Sequence, residues 1–442
     1  MKRLEGRAPI PSVSYDLARL GYEQDEFVFD GSAVSYDGGE PADYTTRFVV
    51  RRPTDSATFS GTVVVEWLNI TGGLDFAPDW NMVHREILRA GHAWAGVSAQ
   101  KSGIEGGGLF ETMPLKKVAP ERYADLRHPG DAWAFDIFSQ VGACLRGEDA
   151  GEALPGLRPR QLLAIGESQS AMFLATYVNV VDEIAQVYDG FLVHSTGPAG
   201  ASLSGTPPFL DGLGRVERIR DDGRVPVIMV QTETDVVVFG SARAEQPDGP
   251  TLRLWEVAGT AHADQYLVGA AEKDDGSLPA AELAAALRPT TEMLWGTMAT
   301  PANAAPQHHY VAQAALRALD RWAAGGPAPA SADRLLLSAD GTGLELDELG
   351  VARGGVRTPW VDVPVAAFSG MSDSGDVVSG FFGSTTPFDE VTLKELYPGG
   401  RDDYVARFTN SLDDAIAAGF ILDADREEIA ALAAASWDLS YS

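Results

Sequence analysis

Cysteine is nearly absent: of 442 residues only Cys144 is one, so no disulfide can form within the chain and a secreted, oxidising setting gains no support. Cys144 lies in the apolar, helix-like stretch "FDIFSQVGACLRG", where a thiol reads as buried packing rather than as a reactive group. Basic residues are scarce as well. The chain holds 34 Lys and Arg against 63 Asp and Glu, for a formal charge of −29, and no basic run occurs. Phosphate backbones and anionic bilayers repel such a surface, so neither nucleic acid nor membrane is an expected partner, and the charge serves solubility. Long apolar runs are missing too. No window approaches the ~18 residues of a membrane-spanning helix. The opening "MKRLEGRAPIPSVSYDL" carries positive charge without an apolar centre, so no signal peptide is expected and the expected compartment is the cytoplasm.

What the chain does have is enough apolar mass for a large core: 45% hydrophobic residues, with 9 Trp, 12 Tyr and 18 Phe. Its length suits either two domains or one large α/β domain with insertions. Through the first 270 residues, short β-rich runs alternate with longer helix-like segments, the pattern of a parallel α/β sheet. "DEFVFDGSAVSY" and "YTTRFVVRRP" read as early strands, and "GTVVVEWLN" as a buried strand bounded by turn residues. "HAWAGVSAQ", "QLLAIGES", "YDGFLVHSTG", "VPVIMVQTETD" and "TLRLWEVAG" continue the series. Between them lie helix patterns such as "DWNMVHREILRAG", "PGDAWAFDIFSQVGACLRG" and "QSAMFLATYVNVV".

Beyond these, residues 263–305 have no strong period and read as an inserted helical lid. "HHYVAQAALRALDRWAAGG" reads as a helix closed by glycines, and "GPAPASAD" as a turn. The strand-like runs "RLLLSA" and "WVDVPVAAF", a Gly/Ser/Asp-rich loop at 369–386 and a last helix near "DREEIAALAAASW" follow. The expected organisation is a core over 1–325 carrying the lid, and an extension over 326–442 packed on it, a reasonable place for a subunit interface.

A serine hydroxyl attacks a carbonyl only if a base, usually histidine oriented by a carboxylate, takes its proton. In "GESQS" the middle residue, Ser168, has small residues two before and two after it, at the end of an expected strand and the start of an expected helix. A sharp turn of that kind leaves no room for larger flanking residues and lifts the hydroxyl above the sheet edge. "GVSAQ" places Gln100 where a small residue is needed, with no helix at once, and is set aside. "HSTGPAG" puts Ser195 before a Gly-rich loop and reads as a wall of the cleft.

The acid belongs at the tip of a later strand. "QTETDVV" offers Asp235 and, as its rival, Glu233, whose roles a one-residue change in the strand end would exchange. The base belongs after the last strand, where only His262 of the seven histidines sits in a small-residue loop, "AGTAHAD". His84, His92, His194, His308 and His309 read as packing or capping residues. The adjacent pair 308 and 309 points apart on a helix without further ligands, so no metal is expected. The oxyanion needs two N–H donors: Gln169, and either Asn69 or Ile70 in "LNITGGLD". Tyr266, Leu294 and Trp295 suit either an apolar substrate pocket or packing against the sheet.

Together, "VVVEWLN", "GESQSA", "QTETDV" and "WEVAGTAHAD" resemble the α/β-hydrolase superfamily, and within it the bacterial α/β-hydrolase domain proteins, large carboxylic ester hydrolases of which some open lactones. The resemblance implies the α/β-hydrolase fold, an eight-stranded mostly parallel sheet flanked by helices, and a Ser-His-acid mechanism without metal or organic cofactor. It implies an ester or lactone as the small-molecule substrate. Ser170 stands where glycine is usual, and is small enough to fit. An acyltransferase would use the same residues, and a non-catalytic binding protein could share the fold.

Overall fold

The valine run of "GTVVVEWLN" forms a strand, Thr62–Trp67, in which all six residues are buried. Burial on both faces is what an unbroken apolar run requires, and it arises in a sheet covered by helices on each side. In the computed structural model, which describes residues 1–107, 113–207, 215–293, 296–372 and 377–440, this strand is central. The sheet strands are β1 (Lys2–Leu4), β2 (Tyr22–Ala33), β3 (Ala42–Pro53), β4 (Thr62–Trp67), β5 (Ala93–Val97), β6 (Gln161–Glu167), β7 (Gly190–His194), β8 (Val227–Thr232) and β9 (Leu252–Val257). Their order is β1-β2-β3-β5-β4-β6-β7-β8-β9. β2 and β3 pair antiparallel from Tyr22↔Pro53 to Ala33↔Ala42, and β3 pairs antiparallel with β5. The pairings β4 with β5, β4 with β6 and β6 with β7 are parallel. Nine strands rather than eight result because the three-residue β1 adds to the edge at β2.

The chain divides into two units. The first is Met1–Met229 with Ala244–Leu252 and Leu319–Ala328; the second is Val230–Arg243, Arg253–Ala318 and Pro329–Ser442. The region expected as an extension thus falls, from Pro329 on, in the same unit as the acid and histidine loops.

In the first unit, parallel neighbours need crossovers, and the helices Pro78–Ala90, Ala134–Arg146 and Gln169–Thr176 supply them. Phe135 and Phe138 of the second helix and Phe173 of the third close on Trp67 of β4, with ring centroids 5.8, 4.8 and 5.0 Å away. Cys144 is buried in that second helix. One charged residue interrupts the apolar strand. The Glu66 carboxylate accepts N–H bonds from Asp79 (3.0 Å) and Trp80 (2.8 Å) at a helix start, and from the Trp94 indole (2.8 Å). An anion there meets the unsatisfied donors of the first turn. Burial, reinforced by the Asp79 charge, pushes its pKa well above the ordinary value. Beside it the buried Arg51 guanidinium lies 4.2 Å from the Trp80 ring and 4.7 Å from that of Trp94.

In the second unit, "WVDVPVAAF" is not one strand. Pro359 suits the first turn of a short helix, Pro359–Asp362, and only Ala366–Ser369 is extended, pairing antiparallel with Ser384–Pro387. "RLLLSA" supplies only isolated bridges at Leu335 and Leu337. Residues 263–305 hold a π-helical turn (Tyr266–Ala270), a helix (Ala280–Ala286) and a two-residue hairpin (Glu292–Met293 with Gly296–Thr297). Leu294 and Trp295 lie outside the described residues, as do 208–214, beyond the Gly-rich stretch that follows Ser195, and 373–376 of the loop at 369–386. An 18-residue helix, Arg401–Ala418, was not foreseen, although its buried Tyr404, Phe408, Leu412 and Ala415 follow helical spacing and Gly419 closes it.

Candidate active site

β6 ends at Glu167 and the helix Gln169–Thr176 begins two residues later, so the chain must reverse within Ser168. Ser168 does so with φ 63° and ψ −121°, a conformation that L residues other than glycine avoid. Its N–H donates to the His194 carbonyl of β7 (2.9 Å) and its own carbonyl receives Met172 N–H (3.2 Å), which pin the turn on both sides. The small flanking residues have a steric cause. A Cβ at Gly166 would lie 3.1 Å from the Ser170 Cβ and 3.0 Å from Leu174, and Ser170 is itself fully buried. Ser168 is half-buried between the buried Glu167 and Gln169. Ser195 too has positive φ, 54°, but is completely buried.

The loop after β4 closes on itself. Asn69 and Phe76 exchange backbone bonds of 2.8 and 2.9 Å, and Gly73 N–H reaches the Ile70 carbonyl (2.8 Å). The Asn69 N–H is therefore directed to Phe76, while its side-chain oxygen caps Thr71 N–H (2.8 Å) and its amide donates to the Glu167 carbonyl (3.0 Å). Asn69 thus fastens the loop to the residue before Ser168. Ile70 takes its place at the head of the Ile70–Gly73 turn, and Gln169, as the first helical residue, presents an N–H with no partner inside its helix.

In the second unit, β8 stops at Thr232 and a short helix, Glu233–Val237, starts with a capping box: Thr232 Oγ1 accepts Asp235 N–H (3.3 Å), while Asp235 Oδ2 accepts Thr232 N–H (2.7 Å) and hydroxyl (2.7 Å). This turns the other carboxylate oxygen, Oδ1, to His262 Nδ1 at 2.6 Å. Burial disfavours the Asp235 charge, yet the charge and bond of His262 and the two donors of Thr232 outweigh it and hold its pKa below the ordinary 3.8. Glu233 faces elsewhere. Its Oε1 accepts Gly259 N–H (2.5 Å), and its Oε2 accepts Gly370 N–H (2.7 Å) and the Ser369 hydroxyl (3.3 Å). His262 is 4% exposed; Phe239 and Phe381 stand edge-on to its ring at 4.7 and 5.5 Å.

The remaining histidines are structural in their surroundings. His84 lies in a helix, 5.5 Å from the Tyr15 ring and 5.8 Å from Trp80. His92 bonds Ser60 Oγ (2.7 Å) and His309 stacks on Tyr266 at 3.6 Å. Tyr266 is fully buried and its hydroxyl donates to Asp274 (3.0 Å). Two features were not anticipated. His128 bonds the Ala99 carbonyl (2.8 Å) with its pKa lowered chiefly by burial, and His194 forms a second histidine–carboxylate pair, Nδ1 to Asp79 Oδ1 at 2.8 Å. Among the described residues no group of three or more His, Cys, Asp and Glu could hold a metal ion, and no helix is long and apolar enough to cross a membrane.

No curated protein matches the chain. Among solved structures it is similar to a putative dienelactone hydrolase from Klebsiella pneumoniae (15% identity, 52% of this chain and 85% of that one, TM-score 0.29). It is also similar to the esterase Est22 (13%, 56% and 75%, 0.34) and to a fungal esterase from Rhizomucor miehei (13%, 58% and 84%, 0.30). A family model described as the alpha/beta hydrolase domain matches residues 2–431, and because that match runs from the first strand of the sheet into the last helix, the chain belongs to the alpha/beta hydrolase domain family.

Proposed function

We propose that the protein is a serine hydrolase that cleaves a carboxylic ester or lactone through an acyl-enzyme on Ser168. The observation that carries this reading is the backbone of Ser168, held at φ 63° on a strand-to-helix turn. Strain of this kind costs roughly 1–3 kcal/mol and persists where placing a side chain matters more than relaxing it. The His262 to Asp235 bond supports the same reading, because a base must be oriented and its charged form stabilised.

In this mechanism His262 removes the Ser168 proton as Oγ attacks the carbonyl carbon. The developing oxyanion takes the N–H groups of Gln169 and Ile70; Ile70 is preferred to Asn69 because Asn69 N–H already serves Phe76. Collapse expels the alkoxide, which takes the proton from His262; a lactone would stay attached through its acyl end. Water then attacks the acyl carbon with His262 again as base, and collapse breaks the acyl–Oγ bond, His262 returning the proton to Ser168 as the carboxylic acid leaves. Asp235 orients His262, and Glu233, turned to Gly259 and Gly370, does not serve as the triad acid.

Ser168→Ala, with an unchanged circular-dichroism spectrum, is expected to abolish p-nitrophenyl ester turnover and labelling by a fluorophosphonate. Undiminished turnover would overturn the proposal. A panel of esters and lactones of graded size then assigns the substrate class.

A further inference from the structure

The two residues that precede Asp235, Glu233 and Thr234, both bond the loop that carries His262. Thr234 Oγ1 accepts His262 N–H (3.1 Å) and donates to the Gly370 carbonyl (2.6 Å). Glu233 joins Gly259, at the start of the histidine loop, to Ser369 and Gly370, which lie 136 and 137 residues beyond Glu233 in sequence. Asn303 closes the same knot from a third direction, its amide donating to the carbonyls of Gly259 (3.0 Å) and Ser369 (3.1 Å). The packing here has no slack. A Cβ at Gly370 would stand 2.5 Å from the Glu233 Cβ, 2.5 Å from the Thr260 carbonyl oxygen and 2.6 Å from Thr234 N.

We propose that Glu233 is a positioning residue for His262, and that the Ser369 and Gly370 segment, far along the chain, is a built part of the histidine loop rather than a covering laid over it. The inference rests on the reading of His262 as the base. Its physical ground is the match of donors to acceptor: two backbone N–H groups and one hydroxyl converge on a side chain that, when ionised, only accepts. Removing that acceptor strands the two N–H groups in a buried site, where unmade hydrogen bonds are costly. The cheapest relief is for residues 259–262 to shift, and the His262 ring shifts with them. Burial drives the Glu233 pKa up to about 7 in spite of its donors. Arg357 is the charged group acting on it, itself paired with Asp362 (2.5 Å), while Asp235 and His262 face each other.

Glu233→Ala and the isosteric Glu233→Gln test this, the second guarding against a failure of the first to fold. Backbone hydrogen exchange, compared with the unaltered protein, reports the knot without reference to catalysis: at 259–262 and 369–371 exchange is expected to be at least about tenfold faster in each variant. For p-nitrophenyl ester turnover, kcat is expected to fall about 10- to 100-fold in Glu233→Ala with KM within about threefold, and to recover in part in Glu233→Gln. Unchanged exchange at 259–262 in both variants would overturn the proposal, as would an unchanged kcat in a variant whose exchange is faster. Failure of the serine mechanism is seen separately, as a Ser168→Ala variant that still turns over.

Discussion

The molecule contains two histidine–aspartate pairs of nearly the same length. His262 Nδ1 lies 2.6 Å from Asp235 and His194 Nδ1 lies 2.8 Å from Asp79. Both pairs are buried, yet their settings differ. His194 is the last residue of β7, 0% exposed, and its carbonyl accepts the Ser168 N–H, so it belongs to the framework under the elbow. His262 follows Gly259, Thr260 and Ala261 in a loop of small residues, retains some exposure, and is framed by two aromatic edges. A short bond between imidazole and carboxylate is thus no mark of a base by itself. What differs is that one ring sits in a loop of small residues and the other at the end of a strand inside the sheet.

The sharpest way to break this comparison is to neutralise both acids. Asp235→Asn is expected to lower kcat by about 10³- to 10⁴-fold, since an amide there no longer stabilises the charged ring or fixes its tautomer. Asp79→Asn is expected to change kcat by less than about tenfold, whichever ester is used. A comparable loss of kcat in both variants would erase the distinction and make His194 part of the machinery.

Stability should sort the two pairs in the opposite order. Asp79→Ala leaves a fully buried imidazole N–H without its acceptor, which costs roughly 1–3 kcal/mol, and its chemical-denaturation midpoint is expected to drop accordingly. His262→Ala sits in a loop and should cost less. A larger loss for His262→Ala than for Asp79→Ala would reverse the assignment of framework and function.

How far these features were legible in the chain depends on the distance over which they act. The strand β4, the elbow at Ser168 and the loop at His262 were all readable, because each is set by local pattern: a valine run, small residues around a serine, glycine and alanine before a histidine. The choice between Glu233 and Asp235 turns on the position of the strand end. A local signal was present, since threonine followed three residues later by an acid is a capping-box arrangement, and Thr232 with Asp235 forms one. The His194 to Asp79 pair spans 115 residues and the Glu233 to Gly370 bond 137. No periodicity or spacing reports contacts of that range, and they exist only once the sheet has brought its strands together. The 18-residue helix Arg401–Ala418 is a different case: its spacing was there to be read.

The pH dependence of stability contrasts the two neighbouring acids. Asp235 has its pKa depressed in the fold, so it stabilises the native state above the ordinary 3.8, and that contribution is lost as pH falls through the lower native value. Glu233 is raised from 4.5 to about 7, so the native state holds its proton more tightly than the unfolded chain. Its contribution is complete below about 4.5 and declines as pH rises toward 7. Thermal unfolding from pH 4.5 to 7 should therefore decline less steeply with pH in Glu233→Gln than in the unaltered protein. An identical slope would remove the contrast.

The smallest effect concerns the aromatic edges. An edge-to-face pair contributes about 0.5–1.5 kcal/mol beyond the area it buries. Phe381 supplies one such edge to His262, and its carbonyl also receives Ala263 N–H (2.9 Å), a bond that survives any change of side chain. Phe381→Leu keeps apolar bulk and that backbone bond while removing the ring edge. Its expected result is a two- to fivefold fall in kcat, about 0.4–1 kcal/mol of barrier, with Phe239→Leu falling further because its ring is nearer, 4.7 against 5.5 Å. If both variants keep full kcat, the His262 to Asp235 bond and the backbone knot at Gly259 hold the ring without help. The aromatic frame would then be packing, and His262 would resemble His194 more closely than their settings suggest.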